Sequence, residues 1–110
     1  MSELTRRYSY RIQWSDEDDE FVATVAELPS LSWLADNEID ALRGIHTVVD
    51  EALETLSEDG EDAPQPFADR HYSGKFTLRL PPQAHRKLAV EAAEQGVSIN
   101  RYAAMKLESA

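Results

Sequence analysis

The chain has 110 residues, no cysteine and a formal net charge of −10 at neutral pH. The lack of cysteine excludes disulfides, thiolate metal sites and a thiol nucleophile. No apolar run reaches the roughly 18 residues that cross a bilayer, and Met1 to Arg7 has no apolar stretch of the kind a secretory leader needs; the expected compartment is the cytoplasm. The charge is unevenly placed. Residues 1–72 carry 18 acidic against 5 basic side chains, a net of −13, and residues 73–110 carry 3 against 6, a net of +3. An acidic front repels phosphate and a basic tail attracts it, so two units with different partners are predicted.

Tyr8 to Trp14 alternates, with Tyr8, Tyr10, Ile12 and Trp14 on one side and Ser9, Arg11 and Gln13 on the other. Period two with aromatic and β-branched residues predicts a strand with one buried face. Asp16 to Asp19 is a natural turn with flexible, water-exposed carboxylates. Phe21 to Ala26 follows as an antiparallel second strand that Pro29 ends, because proline cannot donate to a ladder. Leu31 to Leu34 is a short third strand anchored by Trp33. Trp14, Phe21 and Trp33 are read as core, with one of them exposed to a partner as the alternative. Asn37 is placed to cap a helix, in which Leu42, Ile45, Val49, Ala52, Leu53 and Leu56 recur at helical spacing and face the sheet. His46 borders that stripe. Residues 1–57 thus read as a β-β-β-α domain.

Residues 58–73 change character. Glu58, Asp59, Gly60, Glu61 and Asp62 precede Pro64 and Pro66, and little here looks able to bury itself. An acidic, proline-containing linker or partner-binding strip is expected, with Phe67 as its one large apolar anchor.

Residues 74–110 read as strand, helix, turn and helix. In Lys75 to Leu80 the residues Phe76, Leu78 and Leu80 share one face and Lys75, Thr77 and Arg79 the other. Helical spacing runs from Gln83 to Gln95, Gly96 is placed as a left-handed cap, and Ser98 caps a last helix carrying Ile99, Tyr102, Ala103 and Leu107. So small a unit buries too little apolar surface to stand alone. A second copy would cover it, the two strands pairing into a ribbon. Such a ribbon fits the DNA major groove, with Lys75, Thr77 and Arg79 toward base edges. Ser98, Asn100 and Arg101, at a helix start with free N–H groups, would hold a phosphate. Phe76-Thr77-Leu78-Arg79-Leu80-Pro81 followed by Gly96-Val97-Ser98-Ile99-Asn100 resembles the Arc/MetJ-type ribbon-helix-helix family.

The front segment carries a second resemblance. Phe21-Val22-Ala23-Thr24-Val25-Ala26-Glu27-Leu28-Pro29, then Leu31-Ser32, then Ala41-Leu42 is similar to HicB-type antitoxins, with Ala35 where that family commonly has glycine. The resemblance implies an α+β fold: a partial ribonuclease-H-like β-β-β-α domain ahead of a ribbon-helix-helix module. It also implies a type II toxin–antitoxin role, neutralising a small basic HicA-like mRNA-cleaving toxin and repressing its own operon. The front charge suits such a partner independently. Asp16, Asp18, Asp19, Glu58, Asp59 and Phe67 are the candidate toxin contacts. Expected partners are therefore operator DNA, the toxin and a second copy of the chain, with a tetramer as a further option.

No enzyme, metal site or cofactor is expected. Ribonuclease-H-like catalysis needs carboxylates converging on two metal ions, and the predicted strand interiors Tyr8–Trp14 and Phe21–Ala26 contain none. His46, His71 and His85 have no ligand spacing. Two rival readings stay open. One is a stand-alone repressor whose front domain senses a small molecule or only oligomerises. The other is an interaction protein in which the tail is a dimer clamp.

Overall fold

The computed structural model describes residues 1–110 and forms two compact units, Met1–Tyr72 and Ser73–Ala110. In the first unit, Tyr10–Ser15 (β1), Glu20–Val25 (β2) and Ser32–Ala35 (β3) form an antiparallel sheet in the order β1-β2-β3. The register sets Tyr10 opposite Val25, Ile12 opposite Ala23 and Trp14 opposite Phe21; Ala23 and Phe21 in turn meet Trp33 and Ala35. Because side chains alternate along a strand, this places Tyr10, Ile12, Trp14, Phe21, Ala23, Val25, Trp33 and Ala35 on one face, and Val22 and Leu34, paired across β2 and β3, on the other.

The helix that covers the face runs from Glu38 to Glu58 (α2). Asn37 starts it, its side-chain oxygen accepting the Asp40 N–H at 2.9 Å. Ala41, Ile45 and Val49, at i, i+4 and i+8, are fully buried against Ala23 and Val25. Each large aliphatic side chain removed from water contributes about 1.5–3 kcal/mol, and Ile45→Ala would cost about 2–5 kcal/mol because a cavity is left behind.

Three features depart from expectation. A short helix, Glu3–Arg7 (α1), precedes the sheet, capped by Ser2. It buries Thr5, whose hydroxyl donates to Asp50 of α2 at 2.6 Å. The second concerns the tryptophans. Trp14 is 49% and Trp33 45% exposed, and Phe21 is only partly buried, so the aromatic core expected there is replaced by small and aliphatic residues. Helix α2 packs on β3 and β2 more than on β1; Trp14 lies on β1 near the turn, and the Trp33 indole lies against the α2 backbone at Gly44 with its remaining surface open. The third is the stretch read as a linker. Helix α2 continues through Glu58, and the chain beyond it returns to the unit: Pro66 is buried, and the Pro64 carbonyl accepts from the Tyr8 hydroxyl at 2.7 Å. Phe67–Asp69 forms a 3₁₀ turn. Backbone groups that would be solvated in a linker find fixed partners here.

The second unit contains helices Pro82–Gln95 (α3) and Ile99–Glu108 (α4). Pro82 occupies the first turn of α3, where no N–H is needed. Gly96 ends that helix at φ 70°, a left-handed conformation that glycine adopts without penalty, and Val97 N–H returns to the Ala92 carbonyl at 3.0 Å. Ser98 then opens α4, accepting the Arg101 N–H at 3.0 Å. Only Ala92 and Tyr102 are buried in this unit. The strand expected over Lys75–Leu80 is not formed: the segment joins no ladder. A strand needs a neighbour for its N–H and C=O groups, and the three strands of the chain are already paired with one another.

Candidate functional site

In the second unit, the apolar positions of the 75–80 segment and the facing sides of both helices line an open groove of about 530 Å³. Phe76, Leu78 and Leu80 form one wall, and Leu88, Ile99, Ala103 and Leu107 belong to the helical side. Phe76 is 75% and Leu78 60% exposed. Side chains of this size left in water forfeit the burial energy that would stabilise so small a unit. Thr77 and Arg79 are exposed and do not line the groove, in keeping with the alternation. Lys75, the third residue of their expected face, sits on the groove rim beside Gly74.

The turn residues divide similarly. Ser98 is occupied as the cap of α4, and Arg101 is exposed in the first turn. Asn100 also lines the groove, so it borders the apolar surface as well as the helix start. Lys106 stands with its ammonium 5.4 Å from the Tyr102 ring, whose hydroxyl donates to Glu91 at 3.0 Å.

The acidic candidates of the first unit fall into separate places. Asp16, Asp18 and Asp19 form the β1–β2 turn, and the Asp16 and Asp18 carboxylates take part in its hydrogen bonds. The Trp14 indole N–H donates to Asp16 at 2.6 Å, the Ser15 hydroxyl donates to Asp18 at 2.9 Å, and Asp19 takes φ 54°. Aspartate is among the few residues that adopt that conformation readily. Glu58 and Asp59 lie at the far end of α2. The helix has 21 residues, a length of about 31 Å at 1.5 Å per residue, and its start follows β3 at the turn end of the sheet. The two acidic groups are therefore a helix length apart. Phe67 is near neither the turn nor its carboxylates: its N–H donates to Glu27 at 3.0 Å, beyond the opposite end of β2.

Glu27 is the residue that sequence reading passed over. It is buried, 7% exposed, and accepts the Ser9 N–H at 2.8 Å, the Ser9 hydroxyl at 3.2 Å and the Phe67 N–H. Burial pushes its carboxyl up, but the hydrogen bonds from Ser9 and Phe67 outweigh that and hold it below its ordinary value. Its one legible signal is a carboxylate embedded in an otherwise apolar run before Pro29. Asp50 is also held low, first by the Thr5 hydroxyl and then by the Ser2 N–H and nearby positive charge, against some desolvation. Tyr10 is pushed up to about 12 by burial and by the charges of Asp50 and Glu27. Its hydroxyl donates to the Thr5 carbonyl at 2.6 Å, and its ring meets His46 edge-on at 4.7 Å. These groups build the domain. Ser9 and Tyr10 border an open groove of about 350 Å³ with Arg11, Thr24 and Pro29, but Glu27, Asp50 and His46 do not line it, and no cluster of His, Asp and Glu has the spacing to hold a metal ion.

Residues 57–107 match the HicB family. The matched stretch takes in the end of α2, the clasped segment, the groove and most of α4. The front motif that prompted the HicB resemblance, Phe21 to Leu42, lies outside it. No curated protein and no solved structure matches the chain. No helix is long and apolar enough to cross a membrane.

Proposed function

We propose that this chain is the antitoxin of a toxin–antitoxin pair, with a tail that binds operator DNA as a dimer and a front unit that holds a small basic toxin. The observation that carries the reading is the second unit's exposed apolar wall of Phe76, Leu78 and Leu80, with Thr77 and Arg79 turned off the groove. A second copy laid antiparallel along this segment would satisfy its backbone and cover the groove in one step. The paired segments would then form the ribbon of a ribbon-helix-helix module, presenting Thr77 and Arg79 twice to the major groove. Lys75 flanks them at the rim, and Ser98, Asn100 and Arg101 bind a phosphate at the start of α4. The net charge of +3 over residues 73–110 favours DNA, and the HicB match over 57–107 supports a toxin–antitoxin role.

In this reading the front unit is a partial ribonuclease-H-like fold that binds rather than cuts, and its net charge of −13 selects a basic protein. The complex acts in the cytoplasm, on the nucleoid when the operator is bound. Two measurements test the two halves. Tagged chain expressed in its native host should copurify at fixed stoichiometry with a small basic protein encoded beside it; recovery of the chain alone would shift the reading to a stand-alone repressor. Operator binding followed by fluorescence anisotropy should weaken steeply with salt, and Arg79→Ala should cost about 1–3 kcal/mol. Unchanged affinity would remove the proposed DNA-reading face.

A further inference from the structure

The first unit has two ends, and they differ in what they offer a partner. The strand register puts Trp14, Phe21 and Ala35 in one row beside the β1–β2 turn. The chain leaves that row through Asp36 and Asn37 into α2, so the turn and the first turn of α2 share one end of the fold. There Trp14 is 49% and Ile39 65% exposed. Around them stand Asp16 to Glu20, Asp36, Glu38 and Asp40, and no Lys or Arg occurs between Arg11 and Arg43. The ion pairs of the structure all involve Glu3 or Asp69, so these carboxylates are uncompensated.

The aromatic side chain at this end is held in place. Asp16 fixes the Trp14 indole N–H, and the Trp14 and Phe21 rings meet edge-on at 5.2 Å and 74°. A large aromatic surface already fixed in position loses little entropy on binding, which is what makes such residues binding hot spots. The other end offers the reverse. One face of the Phe67 ring is covered by the Arg70 guanidinium at 3.8 Å, which takes that face from a partner's cation. Glu58 and Asp59 are about 31 Å from the start of α2, several screening lengths away at physiological salt.

We propose that the turn end of the first unit, centred on Trp14 and Ile39 and rimmed by the Asp16–Glu20 and Asp36–Asp40 carboxylates, is the docking surface for a basic protein, and that Glu58, Asp59 and Phe67 are not part of it. The inference rests on the antitoxin reading only for the existence of a protein partner. Charge selects the occupant. Nucleic acid is repelled by the carboxylates, and a second copy would set the same carboxylates against each other. A partner bringing Arg or Lys around an apolar centre satisfies both parts of the patch.

The test uses the full chain in its native host, with a photo-crosslinking phenylalanine analogue placed at position 14, 39, 58 or 67. Positions 14 and 39 should yield an adduct with one basic protein identified by mass spectrometry, and positions 58 and 67 none. That protein is then purified and titrated against variants. Trp14→Ala should weaken binding by about 30-fold or more. The double variant Glu17→Lys/Glu38→Lys should weaken it by about tenfold or more, with a reduced salt dependence. Asp59→Lys should stay within about threefold. Unchanged thermal unfolding of the variants separates lost binding from lost folding, and the lysine pair, on exposed side chains, serves if Trp14→Ala unfolds. Adducts of the same basic protein at 58 or 67 instead of 14 would overturn this surface and leave the antitoxin reading standing. Adducts of nucleic acid or of the chain itself at 14 would also overturn it. No basic protein at any position would overturn both.

Discussion

The two units solve the problem of burial in opposite ways. Met1–Tyr72 closes on itself: β2 and α2 bury Ala23, Val25, Ala41, Ile45 and Val49 against one another, and Tyr8 completes the cluster. Ser73–Ala110 buries Ala92 and Tyr102 and leaves Phe76, Leu78, Met105 and Leu107 exposed. The difference follows from geometry. A helix laid over a sheet covers both apolar faces at once, whereas two short helices and a single extended segment have one apolar side too many. Apolar surface is thus largely enclosed between sheet and helix in the first unit and largely left in water in the second.

Placing a charge in the groove should have the largest effect on the second unit. Leu78→Glu should abolish self-association and operator binding, read by sedimentation and anisotropy, while near-ultraviolet dichroism stays unchanged. That readout is selective because both tryptophans, Trp14 and Trp33, lie in the first unit. If the variant still dimerises, the groove is not the interface.

Within the first unit a polar counterpart of the Ile45 cavity is expected at Glu27. Replacing it with alanine leaves the part-buried Ser9 and Phe67 N–H groups without their acceptor, a loss of up to about 1–3 kcal/mol where water does not replace the carboxylate. Chemical denaturation should show that loss, and amide exchange should quicken in residues 64–70, which Glu27 helps to clasp.

Gly44→Ala is a smaller perturbation of the same unit. An added methyl would overlap the Trp33 indole, which lies against the helix backbone at that glycine. Displacing the ring should cost about 1–3 kcal/mol and shift tryptophan emission to the red. A neutral result would mean the indole can move aside freely.

The mildest test is pH. The carboxyls of Glu27 and Asp50 are held below their ordinary values of 4.5 and 3.8. Their contribution is therefore complete above about pH 5 and is lost as pH falls through the lowered folded values. Thermal melts should show the first unit weakening below pH 4, and Glu27→Gln should flatten part of that dependence. Tyr10 acts with the opposite sense. Its phenol is raised to about 12, so the stability it lends is present below its ordinary value of 10.0 and is lost as pH rises through 12.

Much of this was legible in local pattern. The alternation in Tyr8 to Trp14, the Asn37 cap, the α2 stripe, and the Gly96 and Ser98 devices all depend on residues close in sequence, and each appears within a residue or two of its expected place. The placement of tryptophan did not follow from pattern. Period two tells which face a side chain joins, but whether that face is covered at a given row depends on where α2 crosses it. Trp14 lies on the strand that α2 covers least, and Trp33 packs one side against α2 at Gly44 while 45% of it stays exposed.

The candidate contacts show the same division. Composition alone divides the charge, with 18 of the 21 acidic side chains before Ser73, and alternation alone sets Phe76, Leu78 and Leu80 apart from Thr77 and Arg79. Tertiary structure decided the rest, because it depends on groups far apart in the chain. It set the Asp16 turn and Glu58 at opposite ends of one helix. It turned residues 64–70 from a linker into a clasped segment through Tyr8 and Glu27, partners 40 or more residues away. A periodic pattern records the neighbours of a residue along one element; only the folded chain brings a carboxylate at 27 to an N–H at 67.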